Sequence, residues 1–265
     1  MTPKAGGVKA APRYAAAMAD ESGVLQRGDG EQIAWRRVAG AGPTVVWLGG
    51  FRSDMTGTKA QALADWAERA GRAYLRFDYL GHGASSGDFA AKGTITRWRE
   101  DVLAVIDQLT EGPLVLVGSS MGGWIACLAA MARPARVAAL LLVAPAADFT
   151  ETLMAPAIPP EGRAALDRDG LWLRPSLYGD PYPITRALLE DGARWSILGS
   201  EPVPIDAPVR ILQGGEDPDV PWTHALELAQ QFSSKDVVFT LIKDGDHRQS
   251  RPQDLARLIA AAEEL

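Results

Sequence analysis

The chain has one cysteine, Cys127, in 265 residues, so no internal disulfide can form. It has only three histidines, and no Cys/His cluster has zinc-site spacing. No metal or other cofactor is implied. Cys127 lies in a run of small apolar residues and reads as helix packing. Basic residues are outnumbered, 27 Lys and Arg against 33 Asp and Glu for a net charge of -6, which leaves no electrostatic footprint for nucleic acid. Long apolar runs are also missing. The run at 137–144 has strand length, far from the roughly 18 residues that span a bilayer, so stable membrane insertion is not expected. Hydrophobic content of 47% and charged content of 23% exclude disordered and fibrous classes.

At this length one large α/β domain with an insertion fits better than two small domains. Residues 1–22 read as a flexible tail and 23–265 as the domain. Lys4, Lys9 and Arg13 precede any acid, faintly like a transit peptide. The segment lacks the serines of such a peptide and the apolar core of a secretory signal, so a bacterial-like cytoplasmic location is expected, with organellar targeting as the alternative.

Strand and helix patterns alternate along the domain. Residues 24–27 and 32–38, split by Gly28-Asp29-Gly30, predict an antiparallel hairpin. Strands follow at 44–48, 73–78, 114–117, 137–143, 209–212 and 237–242. Helices are expected at 58–70, 95–109, 123–131, 222–232 and 253–264. Repeated β-α-β connections imply a mostly parallel sheet with helices on both faces. Between 149 and 205 the rhythm breaks, and eight of the 18 prolines fall there. This proline-punctuated stretch reads as a small lid over the carboxyl edge of the sheet, and Trp172, Tyr178, Tyr182 and Trp195 are candidate substrate-binding residues in it.

The chemistry-bearing feature is Gly118-Ser119-Ser120-Met121-Gly122, set between an apolar strand and a small-residue helix. A strand that turns abruptly into a helix forces the middle residue into a positive-φ conformation, and flanking glycines relieve the crowding. Ser120 is therefore the candidate nucleophile. The Met121 N–H, at the helix start, is aimed at a developing oxyanion. A second match, Gly83-Ala84-Ser85-Ser86-Gly87, follows Gly81-His82-Gly83 with no strand before it or helical run behind it, and reads as a loop.

Serine needs a base, and the base needs an orienting acid. His247 follows the last strand and is the candidate base. His82 reads as a turn residue, and His224, in the first turn of a helix, as solvent-facing or locally packed. For the acid, Asp217, Asp219 and Glu216 share one loop after the strand at 209–212, and local propensity does not separate them. The order serine, acid, histidine after three separate strands is that of an α/β-hydrolase triad. The second oxyanion donor is expected from Gly49-Gly50-Phe51, with Phe51 supplying an N–H.

Several segments resemble a particular family. Gly50-Phe51, Met55, Gly57-Thr58-Lys59-Ala60, Arg76-Phe77-Asp78-Tyr79, Trp98-Arg99, Asp101-Val102-Leu103, Gly118-Ser119-Ser120 and Gly122-Gly123-Trp124 are similar to the α/β hydrolases of the abhydrolase domain-containing protein 10 family and its bacterial relatives. Arg133-Pro134, Val220-Pro221-Trp222 and Asp246-His247-Arg248 extend the likeness across roughly residues 30 to 260. The resemblance implies a serine hydrolase acting on small-molecule acyl esters and thioesters, S-acyl proteins and acyl glucuronides. It assigns Ser120, Asp217 and His247 to the triad and Phe51 and Met121 to the oxyanion hole. The chain departs from many relatives at Gln213-Gly214, where they carry His-Gly, and through the lid. A carbon-carbon bond hydrolase or a proline-specific peptidase would use the same triad, and a non-catalytic ligand-binding module is the alternative outside enzymes.

Overall fold

The structure, a computed structural model, describes residues 20–175 and 181–265. Residues 1–19 of the expected tail, and Tyr178 of the expected lid, lie outside the described residues. β1 (Glu21–Gln26) and β2 (Gln32–Val38) form the antiparallel hairpin. β3 (Ala41–Leu48), α1 (Thr58–Ala70), β4 (Arg72–Phe77), a short α2 (Phe89–Lys92) and α3 (Ile95–Leu109) come next. β5 (Leu114–Ser119), α4 (Met121–Ala132) and β6 (Val137–Val143) form the centre. After α5 (Pro160–Asp169), the hairpin β7 (Leu171–Arg174) and β8 (Tyr182–Thr185), and α6 (Arg186–Gly192), the alternation resumes. It continues with β9 (Val209–Gly214), α7 (Trp222–Gln231), β10 (Val237–Ile242) and α8 (Pro252–Glu263).

Eight strands make one sheet in the order β1-β2-β4-β3-β5-β6-β9-β10. β2 pairs antiparallel with β1 and β4, and the remaining neighbours are parallel. Alternate residues of β5 face opposite cores. Val115 and Val117 pack with Leu63 and Trp66 of α1 and Leu258 of α8, while Leu114 and Leu116 pack with Trp98, Trp124 and Leu228. Covering on both faces is why β5 reads as an unbroken apolar run, each large side chain contributing about 1.5–3 kcal/mol on burial.

Three local features differ from the sequence expectation. β1 begins at Glu21, inside the segment assigned to the tail, because Arg37 pairs with Glu21 and the buried Arg76 with Asp20. Phe89–Lys92 forms one helical turn where no helical run is evident, since the Asp88 carboxylate accepts the Ala90 and Ala91 N–H groups at the N-cap. The region 149–205 contains a two-stranded antiparallel pair, β7 with β8, where the sequence predicts only an irregular lid.

That region is tied to the main domain by two buried carboxylates. Asp148 accepts the Ser196 hydroxyl at 2.6 Å and the Leu198 N–H at 2.8 Å, and Asp191 accepts the Thr96 N–H and hydroxyl, each at 2.7 Å. Among the described residues no helix is long and apolar enough to cross a membrane.

Candidate active site

β5 passes into α4 at Ser120, whose backbone sits at φ 55, ψ -122. A non-glycine residue there carries strain of about 1–3 kcal/mol, so its surroundings must impose it. They do so through the backbone: the Ser120 N–H donates to the Val143 carbonyl, and the Ser120 carbonyl accepts from Gly123 and Ala146. The flanking glycines are required by space. A Cβ at Gly122 would lie 2.1 Å from the Leu48 carbonyl oxygen, and one at Gly118 would lie 2.3 Å from that of Gly122.

At this elbow the Ser120 hydroxyl donates to His247 Nε2 at 3.1 Å, and His247 Nδ1–H donates to Asp217 Oδ2 at 2.8 Å. The structure thus brings together the three residues that follow β5, β9 and β10. Asp217 is buried, whereas Asp219 and Glu216 are exposed. The turn itself makes the distinction that local propensity could not: the Asp219 and Val220 N–H groups both donate to Asp217 Oδ1. Asp219 is still close, with a carboxylate oxygen within 4.8 Å of the ligating atoms of Asp217 and His247.

Sequence reading missed two supports of this chain of bonds. Gln213 is fully buried, and its Nε2 donates to Asp217 Oδ2 at 3.2 Å and to the Val220 carbonyl at 2.9 Å. These acceptors dictate the amide orientation. Lys59 Nζ donates to the carbonyl of Arg248, the residue after His247. Burial lowers the Lys59 ammonium pKa to about 8. Neither residue has a local pattern that reveals its partner, though Lys59 lies within one of the family-like segments. Gln213→Glu should reduce kcat by about 10²-fold near pH 8, because an ionised carboxylate cannot donate to Asp217 Oδ2 and repels it from its place opposite His247 Nδ1. A steady-state rate within threefold of wild type would show that Gln213 only fills space.

The loop after β3 lies against the elbow, for a Cβ at Gly50 would be 3.3 Å from Ser120 Cβ. The Phe51 and Met121 N–H groups enter no turn or loop hydrogen bond among the described residues. The Phe51 ring makes edge contacts with Phe89, Trp98, Phe149 and Tyr182, with centroids 5.2–6.1 Å apart. Of the aromatic residues expected in the lid, Tyr182 is thus placed beside Phe51 in the loop after β3. Trp172 packs on Gly162, which Ile158 also approaches. Trp195 is bound to α3, its indole N–H donating to Thr96 Oγ1 at 2.7 Å and its ring 4.5 Å from the Arg99 guanidinium.

The second Gly-x-Ser-x-Gly is structural. Ser85 Oγ donates to the Asp78 carbonyl and accepts the Ala34 N–H. His224 corrects its sequence reading: it is buried, and its Nε2–H donates to the Ala147 carbonyl at 2.8 Å, joining α7 to the segment beyond β6. A helix-start residue turns inward here because α7 packs its first turn on that segment. His82 is buried too, and desolvation lowers its pKa to about 4. A histidine depressed from about 6.5 leaves stability intact above 6.5 and removes it as pH falls toward 4, by about 3 kcal/mol. His82→Gln should flatten that part of the pH dependence in urea unfolding. Equal losses in variant and wild type between pH 7.5 and 4.5 would contradict the assignment.

A mostly parallel, helix-covered sheet carrying a Ser–His–Asp hydrogen-bond chain at its carboxyl edge defines an α/β hydrolase. The profile of the family described as serine aminopeptidase, S33, matches residues 43–190. Palmitoyl-protein thioesterase ABHD10, mitochondrial, from Mus musculus is 38% identical over 243 residues, covering 91% of this chain and 81% of that protein. Among solved structures, a putative hydrolase from Agrobacterium vitis S4 superposes with a TM-score of 0.88 at 44% identity, covering 93% of this chain and 98% of that one. Mouse alpha/beta hydrolase domain-containing protein 10 does so with a TM-score of 0.83 at 36% identity, covering 92% and 97%. The chain belongs to the α/β-hydrolase family that includes ABHD10, and it is a hydrolase of the serine type.

Proposed function

We propose that the protein hydrolyses carboxylic esters or thioesters through an acyl-enzyme on Ser120. In this reading Ser120 Oγ attacks the acyl carbon as its proton passes to His247 Nε2, and Asp217 holds the imidazole and balances its charge. The Phe51 and Met121 N–H groups receive the oxyanion. Collapse breaks the bond to the alcohol or thiol, which leaves with the proton from His247. Water then attacks the acyl-enzyme with His247 again as base, releasing the acid and restoring Ser120. The reading rests on one observation above others, the continuous Ser120–His247–Asp217 hydrogen bonding with its buried carboxylate.

The relatives named palmitoyl-protein thioesterase favour S-acyl substrates, including acylated proteins. Acyl glucuronides, which are oxygen esters, would be cleaved by the same acyl-enzyme chemistry. We read 149–205 as the lid on 23–265 and the location as cytoplasmic, with the relatives' mitochondrial naming supporting the organellar alternative. Rates on p-nitrophenyl esters, acyl-CoA, an S-acyl peptide, an acyl glucuronide and a proline p-nitroanilide test the substrate class. Faster cleavage of the anilide than of every ester and thioester would replace this reading with the peptidase that the family description suggests.

The aromatic residues of the lid should separate in their effects. Tyr182→Ala should alter the ratio of kcat/KM for short and long acyl chains severalfold, because each methylene in an apolar pocket contributes about 1 kcal/mol. Trp195→Ala should mainly lower stability, by about 2–4 kcal/mol, through its lost packing and Thr96 bond. An unchanged chain-length profile in Tyr182→Ala would leave Tyr182 a packing residue.

A further inference from the structure

The segment Gly81-His82-Gly83 takes no part in the Ser120–His247–Asp217 chain, yet its histidine is held with unusual definition. The His82 ring makes edge contacts with Tyr79, Phe89 and Trp98. Its Nδ1 lies 3.0 Å from the Leu80 carbonyl oxygen and its Nε2 lies 3.2 Å from the Arg52 backbone nitrogen. A carbonyl can only accept and a backbone N–H can only donate. The ring is therefore neutral, protonated on Nδ1, with Nε2 as acceptor. Burial and the nearby Arg52 charge keep it so by disfavouring the imidazolium.

The acceptor meets a backbone that needs holding. Arg52 has φ 59, an uncommon conformation for a side chain of its size, and it directly follows Phe51. The Phe51–Arg52 peptide plane is fixed on one side by the His82 bond and on the other by the aromatic contacts of the Phe51 ring. His82 itself has little room to move, because a Cβ at Gly81 would meet Phe89 at 2.8 Å and one at Gly83 would meet Asp78 at 2.1 Å.

We infer that His82 is a positioning residue for the oxyanion hole, accepting the Arg52 N–H and so fixing the Phe51–Arg52 peptide, the plane next to the Gly50–Phe51 peptide that carries the Phe51 N–H. The inference rests on the proposed roles of Ser120 and Phe51. It makes the Gly81-His82-Gly83 turn part of the site's machinery without contact to the reacting atoms.

Two substitutions divide the ring's functions. In His82→Gln the side-chain carbonyl reaches the position of Nε2 and can accept the Arg52 N–H. In His82→Asn the shorter amide reaches only the position of Nδ1, keeps the Leu80 contact and leaves the Arg52 N–H without its acceptor. His82→Asn should lower kcat on p-nitrophenyl butyrate by about 10- to 100-fold, less than the 10²–10³ of losing an oxyanion donor outright, with KM within twofold. It should weaken a trifluoromethyl ketone, which forms a tetrahedral adduct on serine, by a similar factor, and speed hydrogen exchange at the Arg52 amide. His82→Gln should stay within about fivefold of wild-type kcat and retain protection at Arg52. Equal losses in both variants, or a normal kcat in His82→Asn with a freely exchanging Arg52 amide, would overturn the inference. Nitrogen NMR of the wild-type protein gives a check that needs no variant to fold: His82 should titrate as the Nδ1–H tautomer, and an Nε2–H tautomer refutes the proposal. Failure of the functional reading looks different, since a wild-type protein inert to every ester, thioester and fluorophosphonate leaves the tautomer and exchange results readable.

Discussion

Ser120→Ala is expected to reduce kcat by about 10⁴-fold or more while the protein remains folded. Among the described residues the Ser120 hydroxyl is the group that donates to His247 Nε2, so in the proposed mechanism its removal eliminates the covalent route and leaves only the oxyanion donors and binding. Little stability should change, because the strained backbone is held by main-chain bonds that alanine also makes. Labelling by a fluorophosphonate should disappear with the rate. Ser119→Ala should stay active. Ser85→Ala should stay active but lose about 1–3 kcal/mol of stability, since it leaves the Ala34 N–H and the Asp78 carbonyl without their partner. A dead Ser85→Ala beside an active Ser120→Ala would reverse the assignment of the nucleophile.

Asp217→Asn is expected to lower kcat by roughly 10³–10⁴, because an amide facing His247 Nδ1 can hold the wrong tautomer and cannot balance the imidazolium. Its buried position, with two backbone N–H groups and Gln213 already directed at it, leaves the carboxylate no alternative arrangement. Asp219→Asn should cost less than about tenfold, since its exposed carboxylate contributes only a nearby charge while its backbone N–H still supports Asp217. The double variant should fall below the product of the single losses if Asp219 sustains the residual activity of Asp217→Asn. Severe loss in Asp219→Asn with a mild effect in Asp217→Asn, measured in the same assay, would exchange the two roles.

Much of the architecture is local enough to be legible. Val115 to Val117 read as a doubly covered strand, Trp98 and Val102 recur at helical spacing, and the glycines around Ser120 mark the turn whose crowding they relieve. The pair β7–β8 is not legible, because its strands are four residues each and they pack on α5, α2 and α6, contacts that no local pattern announces. The tail boundary was misplaced for a related reason: the partners that hold residues 20 and 21, Arg76 and Arg37, lie elsewhere in the chain.

By itself the sequence determined the α/β class, the elbow at Ser120 and the order in which candidate acid and base follow their strands, since each depends on periodicity, turn sterics or residue scarcity. Only the tertiary structure decided which acid of the 216–219 turn is buried, what Gln213 and Lys59 hold, which aromatic side chain of 149–205 stands beside Phe51, and why His82 is neutral. The decisive meetings join groups far apart in the chain, 30 residues for His247 with Asp217 and for Arg52 with His82, and 189 for Lys59 with the Arg248 carbonyl, and no local pattern encodes them.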